Sequence, residues 1–219
     1  MAFLRVFGKF LISVGVGILM FVAWTLWGTG FYTSGQQNDL AAIFDRSPAV
    51  KPFIDPGDGS THPPKGFSPN ASEAVFRLKI PAIHMNGDKG FMVVEGVGVE
   101  DLKKGPGHYP TCRPGFERPL CTEFEETWPG ENGRVIVSGH RTTYLHPFYD
   151  LDKLKKGDEI ITETKWGTFT YEVSEVRIVR PDSLAIAIPS DSAEIVLTTC
   201  NPKYSASQRL IVFGTLVTD

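Results

Sequence analysis

The sequence predicts a mainly β protein, in which seven or eight short strands form a closed or nearly closed barrel after one transmembrane helix. Three observations lead to this fold class. An uncharged apolar run lies near the N-terminus, a stretch rich in proline and glycine follows it, and β-branched runs fill the rest of the chain. Because so few segments have the apolar spacing of a helix, we expect the strands to close on each other.

The first element is a membrane-spanning helix over residues 10–32. This run carries no charged residue, and a helix of that length would be about 34 Å long, enough for a hydrocarbon core of about 30 Å. Trp24 and Trp27 lie toward its far end, where amphipathic rings favour the membrane interface. Arg5 and Lys9 precede the run, which predicts a cytoplasmic N-terminus and an extracellular domain. A cleaved signal peptide is the alternative, but the run is long and does not end in a small-x-small site.

A flexible extracellular tether is expected over residues 33–74. Its prolines and glycines oppose both helix and sheet, although "DLAAIF" has the spacing for one amphipathic turn. The predicted order is therefore a cytoplasmic N-terminus over residues 1–9, the helix, the tether and a β-barrel over residues 75–219. The formal net charge of −3 gives no electrostatic footprint for nucleic acid, so no nucleic-acid partner is expected.

Alternating and β-branched runs mark the strands of the barrel. "DEIITET" and "TFTYEVSEVRIV" alternate across "KWG", which predicts a hairpin. The helical candidates are short, "GVEDLKKG" and "HPFYDLDKLKKG". The other predicted strands are "VFRLKIP", "FMVVEGVGV", "GRVIVSGH", "AEIVLTTC" and "RLIVFGTLV".

The chain has three cysteines, an odd number for an exported domain, where thiols are usually paired. Cys112 and Cys121 lie close together in one loop, so a disulfide between them is sterically easy in an oxidising compartment. The alternatives are two free thiols or a metal site that also uses His108, although no compact Cys/His ligand pair completes such a site. Either way Cys200 is the remaining thiol. Its position alone is equally compatible with a buried apolar residue and with a nucleophile.

A thiol, an imidazole and a guanidinium are predicted to meet at one rim of the barrel. Cys200 ends one strand, and His140 follows another buried strand, directly after Gly139. Arg209 opens the strand after Cys200, which would run antiparallel to it. A nucleophilic cysteine needs a base or a cationic partner, and acyl transfer needs a donor to the developing oxyanion. If these strands are neighbours, the three side chains form an acyl-transfer site.

The pattern formed by "LTTCNP", the arginine before the next apolar strand and the upstream "SGHRTTY" resembles the sortases. These enzymes are membrane-anchored cysteine transpeptidases of Gram-positive bacteria. "GPGHYP" and "PFYDLDKLKKGDEI" look most like class E sortases. The resemblance covers residues 75–219 and implies an eight-stranded barrel, held at the cell membrane with its catalytic domain outside. The long insert that holds the first two cysteines departs from the family pattern.

The resemblance also implies a reaction and the residues that carry it. Cys200 would attack the threonine carbonyl of a Leu-Pro-x-Thr-Gly or Leu-Ala-x-Thr-Gly sorting signal and form a thioacyl enzyme. His140 would protonate the departing glycine amine and then deprotonate the incoming amine of a peptidoglycan precursor. Arg209 would support the oxyanion or position the peptide, with a surface ion pair as its alternative role. Thr199 would help to shape the oxyanion site, and Tyr144, otherwise a half-buried loop aromatic, matches a position tied to substrate choice. No cofactor or metal is implied.

Other functions match parts of the same pattern. A pilin-polymerising sortase often carries an Asp-Pro-aromatic lid before its barrel, whereas Asp55 and Pro56 are followed by glycine. The L,D-transpeptidases also use Cys, His and Arg, but in one Ser-His-Gly-Cys stretch that is missing from this sequence. A non-catalytic, membrane-tethered β-barrel binding module would keep Cys200 as a structural residue. In that case the thiol would resist labelling.

Overall fold

One uninterrupted helix forms the N-terminal part of the molecule. The computed structural model describes residues 2–57, 59–183 and 188–217. The helix consists of α1 (Ala2–Ala23), a π-helical segment (Trp24–Gly28) and α2 (Thr29–Arg46). By length and composition its apolar part can cross a membrane, and none of that apolar window is buried in the protein.

Eight strands close into a barrel, as the sequence predicts. In the described part of the chain the strands are β1 (Phe53–Ile54), β2 (Thr61–His62), β3 (Ala74–Lys79), β4 (Phe91–Glu95), β5 (Gly107–His108), β6 (Gly133–Ser138), β7 (Glu159–Glu163), β8 (Thr168–Val179), β9 (Ala193–Asn201) and β10 (Gln208–Leu216). β1 and β2 form a separate hairpin, and the barrel order is β10-β8-β7-β3-β4-β5-β6-β9. The short helix α3 (Val99–Leu102) and a 3-10 turn (Leu151–Lys153) lie within the two predicted helical segments.

The strands alternate between the barrel interior and its outer surface. Along β9, Ile195 and Leu197 belong to the main core. Val196 instead packs in a separate cluster with Ile211 of β10. By the same alternation, Cys200 lies on the outer face, at the end of the strand.

The first part of the predicted tether is helical and docked on the barrel. Thr33, Gln37 and Phe44 of α2 are buried. The amide nitrogen of Gln37 donates to the carbonyls of Met92 (2.9 Å) and Lys104 (2.8 Å), and its Oε1 accepts from the N–H of Met92 at 2.7 Å. The prediction of an irregular tether is wrong here, because polar side chains that are buried through hydrogen bonds produce no hydrophobic periodicity.

The segment after α2 is also attached to the barrel. In the β1–β2 hairpin, Nδ1 of His62 lies 2.6 Å from a carboxylate oxygen of Glu131, and its Nε2 lies 2.7 Å from Oγ of Ser60. The barrel then begins at Ala74, one residue before the predicted boundary. The chain between helix and barrel therefore contacts the domain rather than spanning open space.

Candidate active site

The ends of two parallel strands bring a histidine and a cysteine to the same rim. β6 pairs with β9 in parallel, with Ser138 opposite Thr198. The N–H of Gly139 donates to the carbonyl of Thr198 at 3.1 Å, which continues the pairing past the end of β6. His140 and Cys200 each lie two residues beyond the last pair. They therefore occupy equivalent positions on neighbouring backbones, which are about 4.8 Å apart in a sheet.

β10 places Arg209 beside the cysteine. Arg209 and Cys200 are partners across the antiparallel β9–β10 ladder, so their side chains leave the sheet on the same face. The guanidinium donates to the carbonyls of Ala206 (3.1 Å) and Gln208 (3.0 Å). Within the described residues it forms no ion pair with a carboxylate, which argues against the alternative role of a surface ion pair.

Thr199 has its side chain on the opposite face from the thiol. It is buried, and its hydroxyl donates to the carbonyl of Gly139 at 2.7 Å. This bond ties the end of β9 to the residue before His140. Thr199 thus positions the backbone of the rim, and its contribution to the oxyanion site stays a prediction.

The loop after His140 folds back over the imidazole. The rings of His140 and Tyr144 are in contact, with centroids 4.9 Å apart and planes tilted by 32°. Tyr144, Leu145 and His146 have φ angles of 53°, 60° and 39°, and such left-handed residues cost about 1 kcal/mol or more each unless the surroundings hold them. One supporting contact comes from the N-terminal helix, because the N–H of Tyr144 donates to Oγ1 of Thr29 at 3.3 Å.

Burial lowers the pKa of His140 below its ordinary value. The physical cause is the loss of hydration, which disfavours the charged imidazolium. The ring is therefore neutral at neutral pH and can accept a proton from a thiol. Its conjugate acid is correspondingly stronger, which suits protonation of a departing amine.

A second arginine, Arg141, is buried behind the rim, and the sequence reasoning does not single it out. Its Nε donates to the carbonyl of Tyr149 at 3.0 Å, and one Nη donates to the carbonyl of Cys200 at 3.3 Å and to Oδ1 of Asn201 at 3.4 Å. The other Nη lies 3.0 Å from a carboxylate oxygen of Asp152. The guanidinium of Arg141 thus holds the backbone at Cys200 in place. Its place directly after the predicted histidine is the only sequence signal for it.

The three cysteines divide into a pair and a single thiol. The structure joins Cys112 and Cys121 in a disulfide with an S–S distance of 2.03 Å, and it leaves Cys200 free. The first two sulfur atoms are thus bonded to each other and are not metal ligands in this structure. Cys200 is half-buried, so its thiol lies at the surface of the rim rather than in the core.

A buried charged cluster lies beside the disulfide loop. Ligand atoms of Glu95, His108 and Glu126 lie within 4.8 Å of one another, a spacing that would suit a metal ion. However, Arg113 donates to Glu126 at 2.6 Å and to Glu95 at 3.0 Å. The ring nitrogens of His108 lie 2.8 Å from Glu95 and 3.1 Å from the carbonyl of Thr127. A metal would have to displace the guanidinium, so these contacts favour an ion-pair network.

A thiol and an imidazole at equivalent strand ends, with a guanidinium across the next ladder, define a cysteine enzyme of the acyl-transfer class. The family model for the Sortase domain matches residues 78–217, more than half of the chain. This protein therefore belongs to the sortase family and is a cysteine transpeptidase. Its apolar N-terminal helix is a candidate membrane span, in keeping with a family of Gram-positive membrane enzymes.

Curated relatives support the same family. Sortase D of Bacillus subtilis (strain 168) is 34% identical over 156 residues, covering 69% of this chain and 68% of that protein. Sortase SrtE1 of Streptomyces coelicolor is 29% identical over 224 residues, covering 97% of this chain. The match spans 57% of the length of SrtE1. The likeness to class E extends over almost the whole chain, whereas the match to Sortase D is confined to a shorter segment.

Solved structures share the barrel. The crystal structure of Sortase E1 from Streptomyces coelicolor, with a tripeptide in its active site, aligns with a TM-score of 0.54 and 27% identity, covering 68% of this chain and 92% of that one. SrtF sortase from Corynebacterium diphtheriae aligns with a TM-score of 0.57 and 27% identity, covering 72% of this chain and 91% of that one. The eight-stranded sortase barrel is therefore confirmed.

Proposed function

We propose that this protein is a membrane-anchored sortase that cleaves a Leu-Ala-x-Thr-Gly or Leu-Pro-x-Thr-Gly signal between threonine and glycine. It would then transfer the surface protein to the amine of a peptidoglycan precursor outside the cell. The observation that carries the proposal is the register of the rim, in which Cys200 lies level with His140 and opposite Arg209.

In the first half-reaction His140 takes the proton of the Cys200 thiol, and the sulfur attacks the threonine carbonyl carbon. A C–S bond forms and the carbonyl π electrons move to oxygen, where the guanidinium of Arg209 can donate. To reach that oxygen, the guanidinium exchanges its bonds to the carbonyls of Ala206 and Gln208 for bonds to the oxyanion. The oxyanion then collapses, the C–N bond to glycine breaks, and His140 delivers a proton to the departing amine.

In the second half-reaction the amine of the acceptor attacks the thioester carbonyl. The new C–N bond forms, His140 takes the proton from the amine, and the C–S bond breaks. His140 gives this proton to the sulfur, which returns both side chains to their resting state. Two easier steps thus replace one direct exchange of amides, and the covalent intermediate keeps the surface protein bound between them.

Tyr144 is the residue that we propose for choice of the signal. Its ring lies against that of His140, with centroids 4.9 Å apart, which supports a contact with a peptide bound at His140 and Cys200. A tripeptide occupies the active site of the solved Sortase E1, which supports a short peptide as the ligand of this rim. The class E likeness favours alanine over proline at the second signal position.

A competition between two peptides tests the proposal. The protein is incubated with equal amounts of Leu-Ala-x-Thr-Gly and Leu-Pro-x-Thr-Gly peptides and a panel of amines, and products are followed by mass spectrometry. We expect a larger specificity constant for the alanine peptide and a thioacyl adduct on Cys200. The Cys200→Ala variant is the control and should form neither adduct nor product.

Two outcomes would contradict parts of this proposal. Faster turnover of the proline peptide would place the protein in another sortase class. An adduct on another residue, or turnover in the Cys200→Ala variant, would remove Cys200 from the mechanism. Transfer to a lysine side chain of a second substrate protein, in preference to a wall-precursor amine, would favour the pilin-polymerising alternative.

A further inference from the structure

The N-terminal helix contacts the loop that carries the catalytic histidine. The N–H of Tyr144 donates to Oγ1 of Thr29 at 3.3 Å. A Cβ atom placed on Gly30 would lie 3.4 Å from a methyl group of Leu145, so this turn of the helix and the loop are in van der Waals contact. The first turn of α2 therefore supports the turn that folds over His140.

The same helix is apolar and exposed immediately before this contact. Trp24 and Trp27 are both largely exposed, and amphipathic rings of this kind settle at the membrane–water interface. Thr29 comes two positions after Trp27, which is a rise of about 3 Å along a helix. The point where the helix meets the catalytic rim thus lies level with the predicted lipid head groups.

The barrel is fixed to this helix through buried bonds. Besides the three bonds of Gln37 to Met92 and Lys104, the buried hydroxyl of Thr33 donates to the carbonyl of Lys103 at 2.7 Å. Breaking such contacts would leave buried polar groups unpaired, which is unfavourable. The distance between the rim and the end of the apolar segment is therefore fixed.

The rim itself carries side chains suited to lipid head groups. Tyr149 is in ring contact with His146 (5.2 Å), and the ammonium of Lys203 lies 3.8 Å from its centroid. Tyr204, in the loop directly after the β-strand of Cys200, is 70% exposed. Lys203 is half-buried and also lies 3.5 Å from Asp150, so Tyr204 is the exposed side chain of this group, and tyrosine is typical of residues at a bilayer surface.

We propose that the rim around Cys200 rests on the phospholipid head groups of the bilayer that holds α1. This inference rests on the proposed membrane anchoring of that helix. The docked helix sets the height of the rim, and the loops around Tyr144 and Tyr204 form the surface that meets the lipids. The thiol would then work at the lipid–water boundary.

A depth measurement tests this inference without relying on turnover. The full chain is placed in phospholipid nanodiscs that contain a lipid with a nickel-chelating head group, and a nitroxide is attached to Cys200 through its free thiol. A second protein, Asp191→Cys in a Cys200→Ser background, carries the label just before the opposite end of β9. We expect spin relaxation by the head-group nickel to be several-fold stronger at residue 200 than at residue 191.

A matched pair of variants tests the role of docking. Thr33→Val with Gln37→Ala removes the buried bonds, and Ser34→Ala with Gln36→Ala changes exposed and half-buried positions of the same helix. In the first double variant, spin relaxation by nickel at residue 200 should fall most of the way to the value at residue 191. In the second double variant it should stay as strong as in the parent protein. Equal relaxation at both label positions, or stronger relaxation at residue 191, would overturn the inference.

The result also separates this inference from the proposed function. If the chain enters the nanodiscs and Cys200 is remote from the head groups, the rim does not face the membrane, although anchoring and transpeptidation stand. If the chain does not enter the nanodiscs at all, the anchoring itself is wrong and the rim inference falls with it. The peptide competition remains an independent test of the chemistry in either case.

Discussion

Arg209 is the residue whose replacement separates a catalytic role from a structural one. Its half-exposed guanidinium bonds to two main-chain carbonyls beside Cys200. If it donates to the oxyanion, its contribution exists only in the transition state. We therefore expect Arg209→Ala to lower turnover by about 10²–10³, while stability changes by about 0.5 kcal/mol or less. Arg209→Lys keeps the charge but loses the planar fork, and it should also be strongly impaired.

Turnover, thermal midpoint and the alkylation rate of Cys200 are measured together on both variants. Wild-type turnover in both would remove Arg209 from the mechanism. A fall of the thermal midpoint in step with turnover would instead make it a structural residue.

His140 should titrate below the ordinary histidine pKa of about 6.5, because burial lowers its pKa. The measurement is an NMR titration of the ring in a Cys200→Ala background, which removes the charge of a thiolate. Tyr144→Ala uncovers the ring and should raise the pKa toward its ordinary value. A midpoint at or above 6.5 in the parent would contradict the burial of the ring.

The same pKa shift has a consequence for stability. At a pH between the folded-state and the unfolded-state pKa of His140, the unfolded chain binds a proton that the folded chain does not, so protonation favours unfolding. The titration of His140 therefore lowers the free energy of unfolding as the pH falls from about 6.5 through the lower folded-state pKa.

The sequence predicts some rim residues and not others, for a physical reason. Cys200, His140 and Arg209 each lie at the end of an apolar strand, and strand ends are visible in the pattern. Arg141 looks like a surface cation, because its burial depends on Asp152 and on carbonyls that only the folded chain brings together. A guanidinium satisfied by tertiary contacts leaves no trace in local sequence.

At the scale of elements, the disulfide loop is fastened to the barrel by a covalent bond and by charge. Arg113, next to Cys112, reaches the buried Glu95 of β4. Burial alone would lower the pKa of His108, but its interaction with the Glu95 carboxylate outweighs this and the pKa is raised. The pairing of His108 therefore stabilises the fold below about pH 6.5 and is lost as the pH rises through the higher folded-state pKa.

Removing the disulfide should destabilise the domain through the unfolded state. Closing a loop of this short length contributes about 2–3 kcal/mol in the chain-entropy account, so Cys112→Ala with Cys121→Ala should lose about that much stability in a denaturant titration. Non-reducing peptide mapping should show Cys112 linked to Cys121 and an alkylated Cys200. Three alkylated cysteines in protein isolated without reductant would contradict the bond.

The elements that the sequence predicts are the ones with clear periodicity. The hairpin of β7 and β8 and the apolar strands β6, β9 and β10 follow from alternation and β-branching. The sequence predicts a tether rather than a helix for residues 33–46 of α2, because the buried face there includes Thr33 and Gln37 and is therefore not purely apolar. β1, β2 and β5 have two residues each, too few to show any period.

At the scale of the molecule, the topology across the membrane is the main prediction. Arg5 and Lys9 precede the apolar run, so the N-terminus should stay in the cytoplasm and the barrel should lie outside. Protease added to intact protoplasts should digest the barrel, and a cytoplasmic protein in the same sample should survive. Protection of the barrel in intact cells, with digestion after lysis, would reverse the orientation.

The unbroken helix from Ala2 to Arg46 also links the barrel to the thickness of the bilayer. A hydrophobic segment longer than the local hydrocarbon core relieves the mismatch by tilting. Because α2 is held to the barrel by buried bonds, the whole domain must tilt as a rigid body. We therefore expect the lipid chain length of the host membrane to set the angle at which the thiol meets its substrates.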